Sequence, residues 1–395
     1  MPSVYTFMGR ITLVLWTLIF GQPEHALVNA NGDVVYLSDE NFTYSEGKIL
    51  HSNWNGESFD QTCTNLHGDT LFVLEDLNCS RFRNGFAEIT HVERGISLIS
   101  KYSHGVINSI GEIIVPPDYD DIMNSQPRTI FIAKEESDSL VHNWFVFNSA
   151  GQNLWSIEAQ DLKGFYQERA LIKQDNKYGY LNTRGEVAVD LQFEDASSFG
   201  TSVENLQSHV SPLARVKING LWGAIDTSGK FVVPAQFDSL LAFHSEYAAF
   251  LKDGYWGFVD TTGFEIISAR FKNVWFFTNE LAAATHDGIS WGYIDINGEW
   301  IIAPDFEETN FFVGGVAPVK INGTWGLINT SGKFLVPPKY SGIQHFNAPL
   351  INLFDGKAYD YCILVPGGSP IKFDLRINSI MDSDSYYSVM GWGLK

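Results

Sequence analysis

What most constrains this chain is a unit that recurs. Trp222-Gly-Ala-Ile-Asp-Thr-Ser-Gly229 is followed by Trp256-Gly-Phe-Val-Asp-Thr-Thr-Gly263, Trp291-Gly-Tyr-Ile-Asp-Ile-Asn-Gly298 and Trp325-Gly-Leu-Ile-Asn-Thr-Ser-Gly332. A fixed period of this kind means one supersecondary unit that buries its apolar face only by stacking on copies of itself. Each copy opens with an aromatic residue on a strand of alternating apolar positions. Asp or Asn stands four residues on, at Asp226, Asp260, Asp295 and Asn329, and glycine three residues further. The D/N-x-x-G step suits a type I turn whose last residue is left-handed, closing a hairpin with a bulge. Glycine takes that conformation without a Cβ clash, and the Asp or Asn side chain caps its own turn. A second strand such as Lys230-Phe-Val-Val-Pro234 ends at proline, which cannot donate to a ladder. Another aromatic follows, at Phe237, Phe271, Phe306 and Tyr340, and an Ala-x-Val-like strand precedes each opening, as in Leu213-Ala-Arg-Val-Lys217. The unit therefore predicts about three short antiparallel strands and a linker, with a short fourth strand near Phe243, Phe277 or Phe346.

The spacing from opening residue to glycine extends into less regular regions. It fits His25 to Gly32, Gln61 to Gly68, His104 to Gly111, Trp144 to Gly151 and Tyr178 to Gly185, with Asn at each turn position. A last copy, Tyr361 to Gly368, carries Val365 at the turn. About ten units result. The later aromatic is lost in four of them, where Glu40, Asp76, Ala159 and Arg376 stand. Terminal units degenerate because their outer face meets water, which leaves Ala159 unaccounted for. Two stretches are expected as inserted loops, residues 206–210 before Trp222 and residues 41–60 around Asn53-Trp54. No window carries a clean helical period. The expected fold is an all-β tandem array of antiparallel hairpin or meander repeats. An open curved solenoid is favoured over one or two β-propellers, since a propeller blade usually takes about 40 residues or more. Residues 1–22 form a signal-like segment, 23–163 divergent repeats, 164–347 regular repeats, and 348–395 a degenerate last repeat with a cap or tail.

The units resemble the bacterial WG-repeat (KWG-like) family through the Phe-x-x-Gly-Leu-Ala-x-Val, Trp-Gly-Tyr-Ile-Asp and Val-Ile-Pro-Pro-x-Tyr-Asp signatures. The match is tight from about residue 165 to 347 and looser outside. The resemblance implies an all-β repeat protein without a described enzymatic activity, and it carries over no ligand and no catalytic residue.

A net charge of −20 argues against nucleic acid, whose phosphates need a basic footprint, and against docking on anionic lipid. Arg10 precedes the uncharged run Ile11-Thr-Leu-Val-Leu-Trp-Thr-Leu-Ile-Phe20, which is too short to span a bilayer and reads as a secretory signal. The expected location is periplasmic or secreted, with a cytoplasmic chain as the alternative, and the mature chain carries no integral membrane segment. The run also fits the first strand of the first unit. Cys63 and Cys79 stand near enough in sequence to be bridged or to be buried free thiols, and Cys362 is left over.

Candidate chemistry is sparse. Gly288-Ile-Ser-Trp-Gly292 satisfies G-x-S-x-G, but a nucleophile elbow needs a helix after the serine, and here the repeat's next hairpin follows. Asp295-Ile-Asn-Gly298-Glu299 faintly resembles a calcium loop, yet a hairpin turn explains it fully. The histidines show no metal spacing, and no P-loop or dinucleotide fingerprint appears. No catalytic, cofactor-binding or metal-binding residue is assigned. The repeat positions Trp222, Gly223, Asp226, Gly229, Trp256, Gly257, Asp260, Gly263, Trp291, Gly292, Asp295, Gly298, Trp325, Gly326, Asn329 and Gly332 are read as structural, the tryptophans forming a core ladder. Trp54, Trp155, Trp275 and Trp300 lie outside that register and are the candidate ligand contacts. The expected function is a non-enzymatic exported scaffold that holds a protein partner on its repeat surface and loops. Binding of cell-wall or exopolysaccharide through exposed aromatics is the alternative, and a hydrolase ranks below both.

Overall fold

The computed structural model describes residues 25–28, 34–38, 42–54, 59–94, 100–125, 129–200, 211–244, 246–347, 350–356, 359–363 and 371–373. The signal-like segment 1–22, the insertion at 206–210 and the tail around Trp392 lie outside them. The described residues are all-β, with no helix, and divide into two compact units, one ending at Gln160 and the other beginning at Asp161.

Nine four-stranded antiparallel sheets occur among the described residues, each a meander of four consecutive strands. A further two-stranded pair joins His25–Val28 to Val34–Ser38. The repeat containing Trp256 is typical. Its first strand is Ser239–Leu240, its second Tyr247–Lys252, its third Tyr255–Asp260 and its fourth Glu265–Phe271. All ten opening residues, from His25 to Tyr361, lie on a strand that pairs with the strand after the turn. The expected short fourth strand is present, as the first of its sheet: it covers Ser239–Leu240 and Asn273–Val274, just before Phe243 and Phe277, and Gly342–Asn347, which contains Phe346. The first strand is only two residues long in the regular repeats, so four strands fit a unit too short for four of ordinary length. The loop expected over residues 41–60 is corrected for its described part: Phe42–Ser45, Lys48–Trp54 and Phe59–Asn65 are strands, with Trp54 opposite Phe59.

The turns follow the sequence reading. The Gly229 N–H donates to the Asp226 carbonyl at 2.9 Å, and the Asp226 carboxylate accepts from Ser228 N–H at 2.9 Å and Lys230 N–H at 3.1 Å. Gly229 has φ of 87°. A second set of turns joins the second and third strands. Asn219-Gly220, Asp253-Gly254 and Asn322-Gly323 all have positive φ, the two-residue type I′ geometry that matches strand twist.

The glycine after each opening residue has a different cause. At Gly223, Gly257, Gly292 and Gly326 an added Cβ would stand 2.5–2.7 Å from a carbonyl oxygen of the fourth strand. The register of that strand shifts there, between Trp222 and Ala224 for instance, so the two backbones approach closely. The repeat with Trp144 carries Phe145 instead of glycine, and its ladder runs without a shift from Trp144 to Val146. In that repeat Trp144 is 3% exposed, and its indole N–H donates to the Ala159 carbonyl at 3.1 Å. The missing aromatic at Ala159 therefore goes with a tryptophan that buries itself.

Successive sheets within each unit pack face to face. One core combines Ala224, Val233 and Phe237 of one sheet with Leu240, Phe243 and Phe250 of the next, and another combines Phe258 and Phe271 with Phe277 and Ala282. The expected tryptophan ladder needs correcting on this point. Phe237, Phe271, Phe306 and Tyr340 are the buried members, directly opposite Trp222, Trp256, Trp291 and Trp325, which are half-buried. Cationic groups cover several of the opening rings, as Lys320 does for Trp325 and Arg215 for Trp222.

Candidate ligand-binding groove

Each two-residue first strand continues into a short segment that carries one buried aromatic inward, at Phe243, Phe277 and Phe312. The residues just before that anchor are left at the sheet edge. In the Asp161 unit they gather into a groove of about 580 Å³ that spans four successive sheets. Its apolar lining comes from Leu241, Ala242, Ala249, Val274, Trp275, Phe276 and Trp291, and its polar lining from Arg215, Asn273, Glu308 and Thr309. A stack of rings runs beside it: His244 to Phe276 at 4.6 Å, Phe276 to Phe311 at 4.6 Å, and Trp275 to Phe311 at 6.1 Å between centroids. Trp275 is 37% exposed.

Arg215 departs from its register. It lies opposite Ala224, at the position held by Leu171, Ala249, Ala283 and Pro318 in neighbouring repeats, where the opposite residues are Tyr180, Phe258, Tyr293 and Leu327. Small Ala224 leaves the volume that the arginine needs. In two of the other repeats the tyrosine ties its sheet to the next, Tyr180 donating to Ser197 O at 2.7 Å and Tyr293 to Asn310 O at 2.8 Å. Arg215 makes the corresponding tie through Nη1 to Leu240 O at 2.9 Å. Its Nε is buried without a partner among the described residues. Burial weakens the arginine cation, and nearby Asp195 opposes that effect.

The other polar groups are partly committed. Glu308 pairs with Lys320 at 2.6 Å, which raises the lysine's affinity for its proton. Thr309 bonds to the Pro318 carbonyl at 2.9 Å and to the Tyr293 hydroxyl. The Asn273 side-chain oxygen accepts from Val274 N–H at 3.0 Å, leaving its amide nitrogen as a donor. His244 is 4% exposed, and neither ring nitrogen has a hydrogen-bond partner among the described residues.

Of the four candidate tryptophans, Trp275 alone lines this groove. Trp300 starts a fourth strand and packs edge-on against Phe271 at 5.9 Å and His286 at 5.5 Å. That is the register position of Phe231 and Phe334, and Phe231 likewise meets Phe193 of the preceding sheet. Trp155 is half-buried opposite Val146, and the backbone of Trp54 pairs with Phe59, both in the unit ending at Gln160. Sequence reasoning missed Arg215, Asn273, Phe276 and His244. For Arg215 a signal existed, since one charge interrupts a register of Leu, Ala and Pro.

The remaining motifs are absorbed by the fold. Ser290 N–H donates to the Asp287 carboxylate at 2.7 Å, and the strand Trp291–Ile294 follows it where an elbow requires a helix. The Asp295 carboxylate is spent on Asn297 and Glu299 N–H groups, both at 2.9 Å. Cys63 and Cys79 are free, buried thiols in one core. No helix among the described residues is long and apolar enough to cross a membrane.

A family model described as "WG containing repeat" matches residues 105–126, 178–222, 222–256, 256–288, 291–325 and 325–351. No curated protein matches the chain. Among solved structures, the chain is similar to the computationally designed Ika8 protein at 11% identity, covering 70% of this chain and 91% of that one, with a TM-score of 0.33. It is similar to a eukaryotic initiation factor at 10% identity, 84% and 97% coverage and a TM-score of 0.44. A third likeness is to an acylaminoacyl peptidase of Pyrococcus horikoshii, at 12% identity, 75% and 52% coverage and a TM-score of 0.27. Likenesses of this size carry no conclusion about this chain.

Proposed function

Because this chain belongs to the WG containing repeat family, we propose that it is a non-enzymatic scaffold that holds a protein partner on its repeat surface. The observation that supports this reading is the groove at the sheet edges. There an exposed Trp275, a half-buried Phe276 and the off-register Arg215 line one concavity. Aromatic and arginine side chains in a shared concavity are the residue types that dominate interface energetics. Stacked repeats suit such a role because each adds a little contact area on one continuous surface. Export to the periplasm or beyond belongs to the same proposal, supported by Arg10 and the apolar run from Ile11 to Phe20.

The exposed Trp275 face also favours a second reading, the binding of a cell-wall or exported polysaccharide. Immobilised full chain would be incubated with an envelope extract and, separately, with a glycan array. Reproducible enrichment of one protein, lost on Trp275→Ala, supports the scaffold reading. Glycan binding with no protein enriched replaces it with the second.

A further inference from the structure

Resting on that binding role, we infer that the groove beside Arg215 takes a peptide segment of the partner in which an aromatic or aliphatic side chain stands next to a carboxylate. The first argument is the inventory of donors. Holding one sheet to the next requires a single donor, and tyrosine supplies it at the Tyr180 and Tyr293 junctions. A guanidinium has five N–H groups in a planar fork that matches a carboxylate. Arg215 spends Nη1 on Leu240 O, and its buried Nε has no hydrogen-bond partner among the described residues.

The second argument is the character of the lining. The uncommitted groups, Arg215 and the Asn273 amide nitrogen, are donors. Thr309 is held by its neighbours, and Glu308 is neutralised by Lys320. The acceptors on the lining, Glu308 and Thr309, already hold hydrogen bonds, whereas Arg215 adds a positive charge, which favours a carboxylate over a neutral sugar hydroxyl. Leu241, Val274, Trp275 and Phe276 then supply an apolar wall for the adjoining side chain.

The third argument concerns the backbone. Val274 N–H is capped by the Asn273 side chain at 3.0 Å and Phe311 N–H by Asn310 at 2.8 Å. Edges whose donors are already satisfied are poor templates for an added strand. Recognition is therefore by side chains.

The test is a random-peptide display selection on the full chain, followed by titration of the enriched peptides. The expected sequences place Phe, Trp or Leu beside Asp or Glu. Their affinity falls at least tenfold on Trp275→Ala and on Arg215→Gln, with melting temperatures checked because Arg215 also ties two sheets. Leu241 is exposed enough to be changed without disturbing the core, so it provides a charge test independent of that tie. Both Leu241→Glu and Leu241→Lys lose the apolar contact, but Leu241→Glu binds at least tenfold more weakly than Leu241→Lys, and that difference reads the charge alone. Converting the peptide's acid to its amide loses the same factor in the native chain and nothing further in Arg215→Gln. Enriched peptides without an acidic residue, indifference to the charge at position 241, or no enriched peptide would each overturn the inference. Peptides that bind elsewhere leave the scaffold reading standing, whereas glycan binding with no peptide or protein removes both.

Discussion

Gly257 and Ile267 stand so close that a Cβ on the glycine would lie 2.5 Å from the isoleucine carbonyl oxygen. The contact follows from the register shift between Trp256 and Phe258, which draws the third and fourth strands together. Gly257→Ala forces that pair apart and is expected to destabilise the chain by about 1–3 kcal/mol, the usual cost of overpacking. Chemical denaturation of the variant measures it. An unchanged midpoint would mean that the bulge relaxes freely.

Burial ranks the two aromatics of each repeat in an order opposite to their prominence in the sequence. Phe271 is fully buried, while Trp256 across the ladder from it is half-buried. Phe271→Ala should cost about 3–5 kcal/mol, in line with other buried phenylalanines. Trp256→Ala should cost measurably less in the same denaturation assay. The reverse order would restore the tryptophan ladder.

His244 makes stability depend on pH. Burial depresses its affinity for a proton, with the nearby Phe277 backbone opposing in part, and Phe276 packs against the ring. The unfolded chain then binds the proton more readily than the folded one. Stability is full above the ordinary histidine value of 6.5 and declines as pH falls below it. His244→Phe should lack this limb, so the difference in melting temperature between native and variant chains should change between pH 7.5 and 5.5. A constant difference would show that the ring is protonated without penalty.

The two thiols of the Gln160 unit should be unreactive. Burial raises Cys63 to about 11 and Cys79 to about 12, with the Lys48 charge lowering the first slightly and Cys63 raising the second further. The thiolate is the nucleophile, so at pH 8 both should alkylate only as fast as the chain opens. Mass spectrometry after iodoacetamide, with and without urea, measures this.

The sequence made the turns legible because Asp226 and Gly229 state a local geometry that no distant contact has to complete. The strand count was within reach too: Asn219-Gly220, Asp253-Gly254 and Asn322-Gly323 are hairpin signals. The short fourth strand was expected near Phe243 and Phe277, but its bounds were not legible, since two residues such as Asn273 and Val274 carry no alternation to detect. Trp275 stood out by lying off register. Arg215 could have done so once the repeats were aligned by their ladders. That its guanidinium ends at Leu240 O, and that His244, Phe276 and Phe311 form one row of rings, depends on the spacing between sheets, which no single repeat encodes.

The most direct test of partner binding through this surface is lysine crosslinking of the full chain in an envelope extract, read by mass spectrometry. Lys217, Lys252 and Lys272 lie on the strands and edges around the groove. Crosslinks from these lysines to one protein, diminished by Trp275→Ala, are the predicted result. Crosslinks to a partner only from lysines before Asp161, unchanged by Trp275→Ala, would contradict it.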